Sequence, residues 1–201
     1  MIRTIEAAAA EAATCTRCRL AGGRTQVVYG VGDPNADLMF IGEGPGYHED
    51  KQGEPFVGAA GQLLNHMLAG IGLQRERVRI TNVVLCRPPG NRDPLPDEIE
   101  ACSPWLDEQV RLVDPRVIVT LGNFATRTIL ARQVSIGRVR GQRFDWNGRV
   151  VIPTFHPAAI LRGGGQASNQ MAAFRSDFEQ VRAALAEAET RRPVEEQLGL
   201  F

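Results

Sequence analysis

The sequence contains almost no lysine and has no excess charge of either sign. Lys51 is the only lysine, and every other member of the 23 basic residues is arginine. These residues balance 23 acidic ones, so the formal net charge is +0 and a strongly basic protein is excluded. Any nucleic-acid site must therefore be a local patch of positive charge.

The chain also lacks internal repeats and long hydrophobic runs. No segment reaches the roughly 18 apolar residues of a membrane-spanning helix. The N-terminal MIRTIEAAAAEAATC carries acidic residues and predicts a short helix rather than a signal peptide. These absences predict a cytoplasmic monomer without membrane association. With 43% hydrophobic residues, we expect one domain over residues 1–186 and a flexible tail over 187–201.

Only four cysteines are present, and their spacing is informative. Cys15 and Cys18 form a CxxC pair, and Cys86 and Cys102 follow singly. Thiols stay reduced inside cells, so metal ligation is favoured over disulfide bonding. A local pair and two distant cysteines can form one four-thiolate site. Such a site can hold a [4Fe–4S] cluster or a structural zinc ion, and spacing alone leaves both open.

Buried-strand patterns alternate with amphipathic helices along the chain. Apolar or β-branched runs predict strands at 36–42, 78–86, 116–122 and 150–155, the last after a hairpin turn at Asn147-Gly148. Helices are predicted at 59–73, 96–114 and 168–189, with a break or a second helix start near Cys102 because Pro104 removes a backbone donor. This order predicts an α/β fold: a three-layer α/β/α sandwich with a central, mostly parallel four-stranded sheet.

Three polar loops follow the predicted strands, and parallel strands place such loops at one edge of the sheet. The first is GEGPGYHEDKQGEPFVG at 42–58, the second is CRPPGNRDP after Asn82, and the third is FHPAAILRGGG at 155–165. The first loop has neither the GxGxxG spacing of dinucleotide-binding loops nor the GK[ST] of Walker A loops. The pattern predicts a ligand site at this edge that is not one of these nucleotide sites.

Together these motifs resemble the family 4 uracil-DNA glycosylases, the iron–sulfur branch of the uracil-DNA glycosylase superfamily. The resemblance runs from about Cys15 to Arg162 and rests on GEGPG with ED and PFVG following, TNVVLCRPPGNRDP, HPAAILR and the four cysteines in register. It implies an enzyme that flips uracil from DNA and hydrolyses its N-glycosidic bond to leave an abasic site. Strand cleavage is not expected, because Lys51 lies outside the family's chemistry.

The resemblance also implies roles for individual residues. Asn82 should read the Watson–Crick edge of uracil, and Phe56 should stack on its face. His156 should lie at uracil O2, where negative charge develops, and Glu43 or Glu49 should act at the sugar. The expected uracil pocket comprises Gly42, Glu43, Gly44, Phe56, Asn82 and His156.

Further residues are expected to contact DNA or a cofactor. Ile160 and Leu161 should form an apolar wedge that helps to extrude the nucleotide, while Arg162 and Arg87 should contact the DNA. The resemblance favours a [4Fe–4S] cluster over zinc and implies a structural role for it. Its expected ligands are Cys15, Cys18, Cys86 and Cys102.

The group that excludes the 5-methyl of thymine is left open between two residues. The family frequently has an acidic pair where this chain has Tyr47 and His48. Tyr47 and Glu49 are therefore alternatives for that group. A rigid neighbour of uracil C5 would discriminate more strongly than loose packing.

The C-terminal QLGLF resembles the short peptide by which bacterial repair and replication proteins bind the sliding clamp. Exposed apolar residues in a tail are unfavourable without a partner. The expected clamp-binding residues are Gln197, Leu198, Leu200 and Phe201. The alternative is that they dock on the protein's own surface.

Two other functions are weighed beside the glycosylase. One is a non-catalytic uracil-DNA binder or a redox-sensing iron–sulfur DNA protein. The other is a relative that becomes covalently bonded to the abasic sugar. Such relatives carry GEQPG and a basic loop with a histidine near Asn82, where this chain has Gly44 and CRPPGNRDP.

Overall fold

The computed structural model describes residues 3–165 and 168–190. Within them a six-stranded sheet has the order β1-β3-β2-β4-β6-β5. The strands are β1 (Val31–Gly32), β2 (Leu38–Gly42), β3 (Arg79–Asn82), β4 (Val117–Leu121), β5 (Phe144–Trp146) and β6 (Arg149–Thr154).

The four central strands β3, β2, β4 and β6 are parallel, as the sequence predicts. Two short antiparallel strands extend this sheet at its edges: β1 pairs with β3, and β5 pairs with β6. The β5–β6 turn is the predicted hairpin, with Asn147 at φ 53° and Gly148 at φ 77°. Both values suit the two-residue turn that joins twisted strands.

Helices cover both faces of the sheet in three layers. They are α1 (Ile5–Ala12), α2 (Tyr47–Gln52), α3 (Ala59–Gly70), α4 (Pro96–Val113), α5 (Gly122–Leu130), α6 (Ile136–Val139), α7 (Pro157–Arg162) and α8 (Asn169–Thr190). Helices α1, α4 and α5 pack on one face, and α3, α7 and α8 pack on the other. The predicted three-layer α/β/α arrangement is confirmed.

The two hydrophobic cores follow the alternation of side chains along the strands. In β2, Met39 and Ile41 enter the core on the α4 side, and Leu38 and Phe40 enter the core on the α8 side. Because both faces are covered, all five residues of β2 are buried. Phe40 stacks on Phe178 of α8 at 5.9 Å between ring centroids, which ties the long last helix to the central strand.

The predicted break near Cys102 is wrong, because α4 continues through Pro104. A proline has no N–H, so the carbonyl of Glu100, four residues earlier, loses its helical partner. The Ser103 hydroxyl donates to that carbonyl at 3.0 Å and replaces the missing bond.

Helix α8 extends to Thr190, so residues 187–190 of the predicted tail are helical. The predicted clamp-binding residues, Gln197, Leu198, Leu200 and Phe201, lie outside the described residues. No helix within 3–165 or 168–190 is both long and apolar enough to span a membrane.

Candidate active site

A cavity of about 440 Å³, here called the edge cavity, opens where the four parallel strands end. Its walls include Glu43 after β2, Asn82 at the end of β3, Gly122 after β4 and His156 after β6. The three loops predicted from the sequence therefore meet at one site. A fourth segment, Gly122 to Phe124 at the start of α5, also lines the cavity and was not predicted.

The floor of the edge cavity depends on a glycine. Gly42 and Asn82 are paired neighbours in the β2–β3 register. A Cβ on Gly42 would lie 2.7 Å from Phe56 Cζ and would also collide with the Asn82 side-chain oxygen. Only glycine therefore lets the Phe56 ring and the Asn82 amide approach the end of β2 together.

Asn82 is a buried polar side chain without a protein partner. It is 2% exposed and lines the edge cavity. Its amide makes no side-chain hydrogen bond to any other described residue. A buried amide in this state costs free energy unless a ligand or water satisfies it. The amide is therefore available to a ligand through both a donor and an acceptor.

His156 is fixed by the start of α7, for which it is the N-cap residue. Its Nδ1 accepts a hydrogen bond from the Ala158 backbone N–H at 3.1 Å. Burial, helped by the charge of Arg162, lowers the pKa of His156 to about 4. The ring is therefore neutral near pH 7, and its proton is on Nε2. His156 can donate one hydrogen bond without carrying a charge.

Phe56 lies between His156 and the sheet. Its ring is stacked against the His156 ring, with centroids 5.6 Å apart and an interplanar angle of 27°. Phe56 is 7% exposed and has φ 55°, a value that non-glycine residues rarely adopt. Such strain is held in place by surrounding structure and occurs preferentially at functional sites.

The two candidate carboxylates differ in their surroundings. Glu49 Oε1 accepts hydrogen bonds from the backbone N–H groups of Val57 at 3.2 Å and Gly58 at 3.4 Å. The Glu43 carboxyl has no hydrogen-bond or ion-pair partner among the described residues. Burial and the nearby charge of Asp93 raise the pKa of Glu43 to about 7. Glu49 is thus a fixed carboxylate, and Glu43 is a carboxyl that titrates near neutral pH.

The structure separates the residues of the predicted apolar wedge. Ile160 is fully buried in the core on the α8 side, whereas Leu161 is 41% exposed. Ile160 therefore holds α7 against the protein, which corrects its predicted place in the wedge. Arg162 lines the edge cavity, and Arg87 lies beside it with its Nε donating to Asn91 at 2.7 Å.

The two candidates for the thymine-excluding group also occupy different positions. Glu49 lines the edge cavity together with Gly44 and Gly46. Tyr47 does not line it and is 52% exposed. In this conformation only Glu49 is in reach of a base within the cavity.

The four cysteines line a second cavity, here called the cysteine cavity, between α1, α4 and the segment after β3. N–H groups point at three of the sulfur atoms. Trp105 Nε1 donates to Cys15 at 3.3 Å, and Leu85 N donates to Cys102 at 3.4 Å. Arg24 donates to Cys86 at 3.5 Å. The long-range convergence predicted from the spacing is therefore present.

The cysteine cavity is not shaped as a site for one metal ion. Among the described residues no group of three or more His, Cys, Asp or Glu side chains is placed to hold a single ion. Burial raises the pKa of Cys102 to about 12 and also raises that of Cys86. These thiols stay protonated near neutral pH unless a bound cation favours the thiolates.

A buried charged group supports β6, the strand that leads to His156. Asp177 of α8 is 1% exposed and is paired with Arg140. It also accepts a hydrogen bond from the hydroxyl of Thr154, the last residue of β6, at 2.5 Å. The network ties α8 to β6 two residues before His156.

Comparison with known proteins identifies close relatives. Residues 29–181 match the uracil DNA glycosylase superfamily. The chain is 47% identical over 181 residues to the type-4 uracil-DNA glycosylase of Sulfurisphaera tokodaii, covering 86% of this chain and 80% of that protein. It is 48% identical over 159 residues to the enzyme of the same name from Archaeoglobus fulgidus (75% and 80% covered). It is 50% identical over 150 residues to that from Thermotoga maritima (74% and 78% covered).

Proposed function

The chain belongs to the uracil-DNA glycosylase superfamily, and we propose that it is a monofunctional uracil-DNA glycosylase of base excision repair. It removes uracil by hydrolysing the N-glycosidic bond and leaves an abasic site in the DNA. One observation carries this proposal: the buried, unpartnered amide of Asn82 shares the edge cavity with the neutral donor His156. That pair matches the polar edge of a flipped uracil.

Recognition begins with extrusion of the nucleotide, since the glycosidic bond is inaccessible within a base stack. The flipped base enters the edge cavity and lies against Phe56. The Asn82 amide accepts from uracil N3–H and donates to O4. Cytosine presents the opposite donor and acceptor pattern at these positions, so it would leave the amide unsatisfied.

Bond cleavage places negative charge on the departing uracil, chiefly at O2. His156 Nε2–H donates to that oxygen as the charge develops. Because Nδ1 is already bonded to Ala158, the ring is oriented before the substrate arrives. A donor fixed in this way contributes about 3–4 kcal/mol to stabilising a transition state.

The two carboxylates have separate tasks in this mechanism. Glu43, whose carboxyl makes no hydrogen bond or ion pair with a described residue, stabilises the positive charge at C1′ and orients the attacking water. Glu49 lies against uracil C5 and excludes thymine. The support for this role of Glu49 is the pair of backbone hydrogen bonds from Val57 and Gly58, because a carboxylate held in this way cannot move aside for the 5-methyl group of thymine.

Two observations argue against the neighbouring reaction types. Lys51, the only lysine, is not among the residues that line the edge cavity, so no lysine amine is placed there to form a Schiff base and cleave the strand. Covalent-trapping relatives carry glutamine in place of Gly44. A Cβ at Gly44 would lie 2.7 Å from Val84 Cγ2, so this backbone is packed for glycine.

The cysteine cavity fits a [4Fe–4S] cluster held by Cys15, Cys18, Cys86 and Cys102. Its support is that all four thiols line this one cavity, since four thiolates are the ligand set of such a cluster. The N–H donors from Trp105, Leu85 and Arg24 would stabilise sulfur ligands. When bound, the cluster joins the N-terminal segment to the segment that carries Asn91 and Arg92.

The glycosylase is tested with a uracil-containing oligonucleotide, incubated with the protein and then treated with hot alkali. We expect free uracil and strand scission only after alkali. A protein–DNA band that survives denaturing electrophoresis would indicate covalent trapping instead. Intact DNA with retained binding would identify a non-catalytic uracil-DNA binder. The matched control is the same oligonucleotide with thymine.

We further propose that this enzyme acts as a cytoplasmic monomer and that Gln197–Phe201 bind the sliding clamp. The support for clamp binding is the QLGLF sequence alone. Deletion of these five residues should leave uracil release from a short oligonucleotide unchanged and abolish binding to immobilised clamp. Unchanged binding of the truncated protein would refute the assignment.

A further inference from the structure

The exposed large hydrophobic side chains of residues 3–165 and 168–190 concentrate around the mouth of the edge cavity. They are Tyr47 (52% exposed), Leu95 (37%) and Leu161 (41%). Each directly follows or precedes a residue that lines the cavity, namely Gly46, Pro94 and Arg162. Single exposed hydrophobic residues are common, but their grouping at one opening indicates contact with a partner.

Tyr47 differs from the other two because cations surround its ring. The Arg87 guanidinium lies 5.1 Å and the Lys51 ammonium 5.9 Å from the ring centroid. Lys51 is one helical turn after Tyr47 in α2, so the helix itself places that charge. An exposed aromatic ring with adjacent cations is a combination that binds nucleobases by stacking and phosphates by charge.

Arg87 joins this surface to the edge cavity. Its Nε donates to the Asn91 side chain at 2.7 Å, and Asn91 lines the cavity. On the other side of Tyr47, Gly46 also lines the cavity. Tyr47 therefore lies at the mouth: it is the next residue after Gly46, which lines the cavity assigned to the flipped uracil, but its own side chain does not line that cavity.

We propose that Tyr47, with Arg87 and Lys51, forms a stacking subsite for one unpaired nucleobase next to the flipped uridine. The proposal rests on the proposed glycosylase function, which places DNA at this mouth. The occupant is a base of the same strand that has left its own stack, because the face of a stacked base is already covered. Arg87 and Lys51 hold the phosphate beside that base.

A consequence for substrate choice follows from the free-energy cost of unstacking. In single-stranded or mismatched DNA a flanking base reaches the Tyr47 ring at little cost. In a fully paired duplex the same contact requires a second base pair to open. The subsite therefore favours uracil in single-stranded or poorly paired DNA.

The test measures binding of full-length protein to single-stranded oligonucleotides that carry a non-hydrolysable 2′-fluoroarabino-uridine. One oligonucleotide has normal bases on both sides of this nucleotide. The other has base-free tetrahydrofuran residues there. Loss of one stacked base corresponds to about a tenfold rise in Kd. We expect Tyr47→Ala to show that rise with the normal oligonucleotide and no change with the base-free one, while Tyr47→Phe binds both as wild type does.

His66→Ala is the matched control, since it removes an exposed ring on α3 that does not line the edge cavity. It should leave both dissociation constants unchanged. Equal losses of Tyr47→Ala on both oligonucleotides, or no loss on either, would overturn the subsite. Uracil release by the same wild-type preparation separates the two proposals. If uracil is released but Tyr47→Ala shows no rise in Kd that depends on the flanking bases, only the subsite is refuted. If no uracil is released, the glycosylase function is refuted.

Discussion

The cysteine cavity and the edge cavity both take residues from one segment, Asn82 to Cys102, but key polar groups of the two cavities differ in their partners. In the cysteine cavity, protein N–H groups point at the sulfur atoms of Cys15, Cys86 and Cys102. In the edge cavity, the Asn82 amide and the Glu43 carboxyl have no protein partner among the described residues. Groups that the protein itself satisfies suit a permanent structural ligand, whereas unsatisfied ones suit a substrate that comes and goes.

The largest effect should come from removing a ligand in the cysteine cavity. Cys102→Ser is expected to lose the bound iron and to lower the free energy of unfolding by more than about 4 kcal/mol, the range for loss of a buried metal site. For a chain of this size that is a fall in Tm on the order of ten degrees. Iron content, visible absorbance and calorimetry measure both changes. If Cys102→Ser keeps its iron and the wild-type Tm, the proposed structural role of the cysteine cavity is wrong.

The next largest effect should come from a substitution in the edge cavity, and it should lower the rate of uracil release without changing the stability of the fold. His156→Ala is expected to lower kcat by about 10²–10³-fold because it deletes the proposed donor to uracil O2. The Tm should change little, since part of the ring already faces the cavity. His66→Ala is the matched control, because that histidine is on the exposed face of α3. Near-wild-type turnover by His156→Ala in single-turnover kinetics would refute the assignment.

The pH dependence of the single-turnover rate should distinguish Glu43 from His156 within the edge cavity. In the proposed mechanism Glu43 must be ionised to stabilise the sugar, and its pKa of about 7 means that the ionised fraction falls about tenfold per unit below pH 7. The single-turnover rate should therefore rise with pH up to about 7 and then level off. His156, with a pKa of about 4, stays neutral throughout and cannot produce this limb.

Glu43→Gln is the variant that checks the origin of the limb. It should be slower than wild type and independent of pH between about 5.5 and 8, because the carboxyl proposed to produce the limb can no longer ionise. Persistence of the wild-type limb in Glu43→Gln would assign it to another group.

The sequence predicted the central strands and the convergence of three loops, because both follow from local patterns. Parallel strands buried on both faces are apolar runs, and their carboxyl ends meet at one edge. The same rule applied to β4 would have identified Gly122–Phe124. It was missed because no distinctive motif follows that strand. In α4, the Ser103 hydroxyl occupies the carbonyl that Pro104 leaves without a helical partner, a contact that a proline rule does not consider.

Other parts of the site depend on tertiary contacts that leave no local signal. The raised pKa of Glu43 requires Asp93, fifty residues later, to lie beside it. The burial of Ile160 depends on how the short helix α7 docks, and adjacent residues of such a helix face different ways. Tyr47 could be assigned to the mouth rather than the cavity only from the fold.

The smallest effect tests what the N–H donors of the cysteine cavity do. We expect them to shift the reduction potential of the proposed cluster without being needed to keep its iron bound. Trp105→Phe removes the Nε1–H that points at Cys15 and keeps most of the ring that packs in the core. The loss of one such bond is about 1 kcal/mol, which corresponds to a fall in Tm of about 2–4 °C. Iron content and uracil release should stay at wild-type values, while the reduction potential of the cluster should shift because a donor to its sulfur ligand is gone.

Loss of iron in this variant would mean that the donors are required to hold the cluster. An unchanged potential would mean that the Trp105 N–H does not act on the sulfur. Either result would weaken the distinction between a cavity satisfied by the protein and one left open for substrate.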